Sequence, residues 1–299
     1  MLLAVRDELA PEFLAVTFDH PSPTFRHTMY VGYQHGRVKD RQMEEDIWGQ
    51  VEKLKEHLGE VGVAVYQIEG FEADDVIGTL ATQASGQSKS KIPHFAKASR
   101  GKQKSKIKID GVVIVTGDRD LLQLVNERVK VFMPVKGLSE TVLLDRKGVR
   151  EKMGVWPEEI VDYKGLVGDS SDNYPGVVGI GPKTAATLIE KYGGVEKVYR
   201  SMAKVKKELG EVVVRKLIEG QEGAQLSKAL AKIRVDSPVS LDLETARMPT
   251  DEKLIRLFDQ MKYPSLVKRI TGESGVETEK FKLKSKSKHK KAEGQMELV

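Results

Sequence analysis

Cysteine is absent from all 299 residues. That excludes a disulfide framework, a thiolate nucleophile and cysteine-ligated zinc, and it fits a reducing interior. No long apolar run occurs and the mean hydropathy is −0.37, so a membrane span is not expected. No secretory leader is expected at the start either. What the chain does have is 39% hydrophobic and 31% charged residues, enough apolar material for a real core in a soluble protein. Its length is about twice that of a typical domain of roughly 150 residues, which predicts one large domain or two moderate ones.

The formal charge of +5 and the sequence pI near 9.0 suggest a polyanionic partner. The charge is unevenly spread. Residues 85–109 hold eight basic residues and no acid, and residues 280–291 hold seven lysines and no acid. Outside them, 34 basic residues face 44 acidic ones, a body of −10. Both stretches are rich in Lys and Ser and poor in apolar residues, so a loop insertion and a disordered tail over 270–299 are expected. They read either as solubilising surface or as phosphate-attracting segments that release counterions on binding.

The order of segments predicts alternating strands and helices. Leu2, Leu3, Val5 and Leu9 resemble the later part of an amphipathic helix. Strand-like runs cover 13–18, 61–68, 112–116, 129–133 and 141–144, with helices near 46–58, after 72 and around 121–125. This pattern argues for an α/β domain with a mostly parallel sheet flanked by helices, over residues 1–155. From Pro157 the character changes. A helix to about Val167, a polar loop, a glycine-spaced turn and a helix opening at Pro182 define a helical module over 156–269.

Asp19, then Glu72, Asp74 and Asp75, then Asp118 and Asp120 each follow a predicted strand. In an open parallel sheet the carboxyl ends of strands lie along one edge, where ligands bind. Asp169 and Asp172 lie in the loop after the next helix and can reach the same edge. So many like charges raise one another's pKa and destabilise the fold unless a cation joins them. All-oxygen ligands suit Mg2+ or Mn2+, and two such ions about 4 Å apart would activate water and stabilise the leaving oxygen of a phosphodiester. Taken singly, acids in a first helical turn or at turns are equally explained by the helix dipole and by capping.

Gly176, Gly179 and Gly181 permit backbone conformations closed to other residues and lead into the helix at Pro182. Their N–H groups, the helix N-terminus, Lys183 and Thr184 form either a phosphate-binding turn or an ordinary tight helix–helix connection.

Four strings together resemble one family: FDHPSPTFRHTMYVGYQHGR at 18–37, EGFEADDVIGTLA at 69–81, VIVTGDRDLLQLV at 113–125 and GLVGDSSDNYPGVVGIGPKTAATLI at 165–189. They are similar to the 5'-3' exonuclease domain of bacterial DNA polymerase I and its flap endonuclease relatives, over roughly residues 2–200. The resemblance implies a PIN-like sheet domain followed by a helix-hairpin-helix module that grips duplex DNA, often with K+ at the turn. It also implies metal-assisted hydrolysis of DNA at 5' flaps or 5' ends, in replication and repair, by a monomer in the bacterial cytoplasm at the nucleoid. By the same resemblance, Glu72, Asp74, Asp75, Asp118 and Asp120 form one metal-binding group. Asp169 and Asp172 form the second, with Asp19 in support. Arg26, Tyr33 and Arg37 match residues that meet the scissile phosphate and the 5' strand; without the resemblance they read as a solvated helix surface. Gly176, Gly179, Gly181, Lys183 and Thr184 match the DNA-backbone turn.

Departures accompany the match. Gln34 stands where the family has a lysine after the tyrosine, the proline-bearing segment after Arg37 is missing, and the 85–109 insertion is unusual. The family's opening strand, ending in Asp-Gly, lies before the first residue, which leads to the expectation of a late start or a truncated reading frame. No polymerase domain follows, so a separate polymerase is an expected partner. Gln295 to Val299 resemble short clamp-binding peptides, which predicts a sliding clamp as a second partner, though an unremarkable terminus explains them equally. The competing readings of function are a DNA-junction binder without chemistry and a PIN-like RNA nuclease. The glycine turn and the long helical module favour duplex DNA over the second.

Overall fold

A computed structural model describes residues 2–35, 41–87, 108–136 and 140–272. The lysine-rich tail, Gln295 to Val299, Arg37, and all basic residues of the 85–109 stretch except Lys108 lie outside the described residues.

The first half alternates as the sequence predicts. Helix α1 (Leu2–Leu9) leads to strand β1 (Ala15–Thr17), helix α2 (Phe25–Met29), the long helix α3 (Arg41–Glu60) and strand β2 (Ala64–Tyr66). Helix α4 (Ala73–Ala84) follows, then β3 (Val112–Val115), β4 (Val129–Lys136), β5 (Glu140–Leu144) and helix α5 (Arg146–Met153). Strands β1 and β2 pair in parallel, as do β3 and β4, whereas β4 and β5 run antiparallel. The expected single sheet is therefore two small ones among the described residues, β1-β2 and β3-β4-β5.

The helix expected near Leu121 is a 3-10 turn, Asp120–Leu124, which buries the adjacent Leu121 and Leu122 completely. A second 3-10 turn, Pro157–Glu159, precedes helix α6 (Ile160–Val167). The helical module continues through α7 (Pro182–Tyr192), α8 (Val195–Arg200), α9 (Met202–Leu209), α10 (Glu211–Glu219) and α11 (Gln221–Ala231). Helices then pause over 232–250, around Pro238. Residues 234–241 lie along α4, where the backbone N–H groups of Arg234, Ser237 and Leu241 donate to Asp75, Thr79 and Gln83. Gly78 of α4 permits this approach, since a Cβ there would come 2.8 Å from Ile233 and 2.9 Å from the Arg234 carbonyl. Helices α12 (Asp251–Gln260) and α13 (Pro264–Thr271) return to α1 and α3, where Leu254, Leu257 and Phe258 pack with Leu3, Leu58, Val61 and Val63.

One apolar cluster runs from Ile114 and Val131 in the sheet through Leu121 and Leu122 to Ile160, Leu166, Leu188 and Leu217. Sheet and helical module thus share a core across residue 155, which fixes the module relative to the strand ends. No described helix is long and apolar enough to cross a membrane.

The seat of α6 depends on close approach to α11. A Cβ at Gly165 would lie 2.9 Å from Lys228 Cβ and 3.1 Å from the Ala224 carbonyl. Replacing Gly165 by Ala should therefore cost stability by about 1–3 kcal/mol of overpacking, against a helix-propensity gain of about 1 kcal/mol. A lowered urea midpoint is the expected result, and a raised one contradicts this packing.

Candidate metal and nucleic-acid site

The end of β1, the start of α4 and the loop after β3 bring acids to one edge. Asp19 Oδ1 accepts a hydrogen bond from the Ala73 N–H at 2.7 Å, and Asp118 Oδ1 accepts from the Asp120 N–H at 2.8 Å. Burial holds the Asp74 carboxyl well above the usual range, and the nearby Asp118, Asp19, Glu72 and Asp120 add to it. Asp120 also meets the loop after α6. Among the described residues, Asp120, Asp169 and Asp172 bring carboxylate oxygens within 4.8 Å of one another. Asp120 thus sits with the pair that the sequence assigned to a separate group.

Asp75 stands apart from this edge. It is fully buried, and Arg26 donates to both its oxygens, Nη1 to Oδ2 at 2.7 Å and Nη2 to Oδ1 at 2.9 Å. The N–H groups of Glu72 and Arg234 donate to it as well. The remaining Arg26 donors reach Glu72 Oε2 at 3.1 Å and the carbonyls of Leu230 and Lys232 at 2.9 and 3.0 Å. All five guanidinium N–H groups are then spent. Burial alone would depress Arg26, yet Asp75 and Glu72 carry it above the ordinary arginine range. The sequence reading placed Arg26 against a scissile phosphate and Asp75 among the metal ligands. In the structure both face inward and join α2, α4 and the end of α11, because a carboxylate and a guanidinium buried together satisfy each other.

Tyr33 is also buried, donating to Glu72 Oε2 at 3.2 Å. Gln34, at a left-handed φ of 54°, holds the acidic loop twice. Its N–H donates to the Asp172 carbonyl at 2.9 Å and its Nε2 to Asp172 Oδ1 at 3.2 Å. Asp169 is oriented by the Ser171 N–H at 2.7 Å.

The cation that sequence reasoning missed is Lys164, near the end of α6. Its Nζ lies 2.6 Å from Asp120 Oδ1 and also contacts Asp169 Oδ2. A single lysine has no pattern of its own; the available signal was its position five residues before Asp169 on a helix directed at the acidic loop.

These residues fit a hard divalent cation. The donors are all oxygen. The Lys164 ammonium meets Asp120 Oδ1, whereas the buried Tyr174 hydroxyl has no partner among the described residues. Burial raises the Tyr174 hydroxyl, and Asp120, Asp169 and Asp172 raise it further, which places it beside the same three carboxylates.

Gly176, Gly179 and Gly181 lie in the turn between α6 and α7, with Gly176 packed against Gly168, the residue before Asp169. Gly176 (φ 61°) donates its N–H to the buried Ser227 Oγ at 2.8 Å, and Gly179 (φ 82°) gives its carbonyl to Lys216 Nζ at 2.9 Å. Gly181 caps α7, with Pro182 at its first position and Lys183 exposed. Thr184, half-buried, follows in the first turn. Val178, Gly179, Arg215, Lys216, Glu219 and Gly220 line a pocket of about 360 Å3 beside this turn.

Fold and site together define a nuclease-like architecture, and sequence comparison gives the family. Residues 1–154 match the model described as 5'-3' exonuclease, N-terminal resolvase-like domain, and residues 155–253 match 5'-3' exonuclease, C-terminal SAM fold. The chain belongs to the 5'-3' exonuclease family. DNA polymerase I of Bacillus caldotenax is 37% identical over 93% of this chain and 29% of its own length. The thermostable DNA polymerase I of Thermus thermophilus is 35% identical over 86% of this chain and 27% of its own. The chain therefore spans under a third of these relatives. In fold it is similar to T5 5'-exonuclease with bound zinc, at a TM-score of 0.58 and 18% identity, covering 91% of this chain and 88% of that one.

The acidic edge makes stability depend on pH. Burial, with Asp75 and Asp172 adding and Arg26 opposing, raises Glu72 to about 7. Burial, with Asp118 and Asp169 adding and Lys164 opposing, raises Asp120 to about 6. Both bind a proton more tightly folded than unfolded, so their contribution is full below the ordinary carboxylate range and is lost as pH rises through about 6 to 7. Without divalent cations, stability should fall across that window by on the order of 1–3 kcal/mol per group. Urea midpoints that stay flat or rise between those limits contradict it.

Proposed function

We propose that this chain hydrolyses DNA phosphodiesters at 5' flaps or 5' ends, with divalent cations, Mg2+ or Mn2+, held by the acidic edge. The observation that carries the reading is the convergence of Asp120, Asp169 and Asp172 beside Asp118 and Asp74, all oxygen donors. Bound there, the cations supply charge neutralisation of the phosphate and a more acidic water. The protein's own residues do the rest. Asp120, Asp169 and Asp172 would hold one cation, and Asp74, Asp118 and Asp19 are proposed as ligands of a second. Arg26 and Asp75 lock the start of α4, so Glu72 and Asp74 are presented from a fixed turn. Gln34 and the Asp169 loop hold Asp172 in place. Arg37, outside the described residues, is proposed to meet the DNA.

The module binds the duplex. N–H groups at Gly179, Gly181 and the start of α7, with Lys183 and Thr184, are proposed to take a backbone phosphate, with K+ at the turn; Gly176, whose N–H is spent on the buried Ser227 Oγ, shapes the turn instead. The DNA-bound flap endonuclease of bacteriophage T5 lends support at the level of fold. A second reading, junction binding without cleavage, is favoured by Gln34, a neutral amide where the family resemblance leads one to expect a lysine.

Cleavage of a labelled 5'-flap duplex by the full chain separates the two. With Mg2+ or Mn2+, activity is expected, with loss on chelation and a fall of at least about 100-fold in Asp120→Asn. Equal behaviour of the two proteins supports binding alone. For the turn, Lys183→Ala should weaken duplex binding and reduce the slope of log affinity against log salt by about 1. An unchanged slope removes Lys183 from the interface.

A further inference from the structure

Among the described residues, Lys164 is the cation at the acidic edge that lies within contact distance of two of its carboxylates. Its ammonium touches Asp120 and Asp169, and all three side chains are largely withdrawn from water, at 12%, 15% and 16% exposure. Two carboxylates within contact distance pair with its ammonium. The same two carboxylates, with Asp172, are the oxygens that converge within 4.8 Å. An ammonium and a divalent ion on one pair of carboxylates repel each other, strongly so a few ångströms apart in a partly desolvated site.

We propose that Lys164 is a positioning residue that serves as an internal counter-cation. It keeps Asp120 and Asp169 together in the metal-free protein and withdraws when a divalent ion takes them, so that metal binding works against an ion pair already made. The lysine thereby lowers the site's affinity for metal. The anchoring favours such a role. Gly165, the next residue, lets α6 lie close on α11, and the Val177 N–H donates to the Leu166 carbonyl at 2.8 Å, so the helix end is fixed while the four-carbon side chain keeps rotatable bonds of its own. A residue with a purely structural role would stabilise the fold equally with and without metal; a counter-cation does not.

This inference rests on the metal-dependent reading above, and calorimetric titration of Mn2+ into the full chain separates the two. The wild type should bind Mn2+. In Lys164→Met, which keeps the side chain's length without charge, the dissociation constant should fall by about tenfold, a difference of about 1.4 kcal/mol. The melting temperature of the metal-free variant should drop, and Mn2+ should raise it by more than in the wild type. Lys164→Arg, which keeps the charge, should stay near the wild-type constant. A Lys164→Met constant equal to or weaker than the wild type's overturns the proposal, whereas failure of the wild type to bind Mn2+ overturns the metal reading itself. If Lys164→Met does not fold, the wild type still decides. Acetylation of Lys164 by a soluble N-hydroxysuccinimide ester, followed by mass spectrometry, should rise severalfold on adding Mn2+, and unchanged protection refutes the withdrawal.

Discussion

Carboxylates drawn to one edge repel, and the structure depends on how that repulsion is balanced. Two buried cations divide the task. Arg26 spends all five donors below the edge, on Asp75, Glu72 and two carbonyls at the end of α11. Lys164 acts at the edge itself, between Asp120 and Asp169. The first cation is locked by geometry and ties the sheet half to the helical half. The second is held by charge on a flexible stem. A rigid base beneath an adjustable rim suits a site that must accept and release ions while its backbone stays still.

The helical module is part of the same design. Its core is continuous with that of the sheet, through Leu121, Leu122, Ile160 and Leu166. The loop bearing Asp169 and Asp172 therefore sits at a fixed height opposite Asp120. One short connection between α6 and α7 thus supplies the carboxylates Asp169 and Asp172 at its start and the glycine turn that opens α7 at its end.

Much of this was legible in the sequence. Strand-end acids follow from β-prone runs that stop at Asp or Glu, and the glycine turn follows from Gly spacing before a proline. What spacing does not reveal is direction. Glu72, Asp74 and Asp75 are adjacent, and nothing in their order says that Asp75 turns inward; that is decided by Arg26, 49 residues away. Arg26 likewise read as exposed because its helix, α2, is too short to show a buried face. The sheet's division into two pieces and the length of the pause in helices over 232–250, beyond the break that Pro238 signals, were also hidden. Both depend on tertiary partners, the second on Gly78 and the hydroxyl of Thr79 rather than on local propensity. Lys164 was invisible for the opposite reason: one lysine among many in a lysine-rich chain carries no pattern until its neighbours in space are known.

The central claim is that Asp120, Asp169 and Asp172 form a cation seat which Lys164 guards. Anomalous diffraction from crystals of the full chain soaked in Mn2+ tests it most directly. The account predicts a peak bounded by those three carboxylates, with the Lys164 side chain swung away from Asp120 and Asp169. Mn2+ absent from that position, with Lys164 still bridging the two carboxylates at saturating metal, would contradict it.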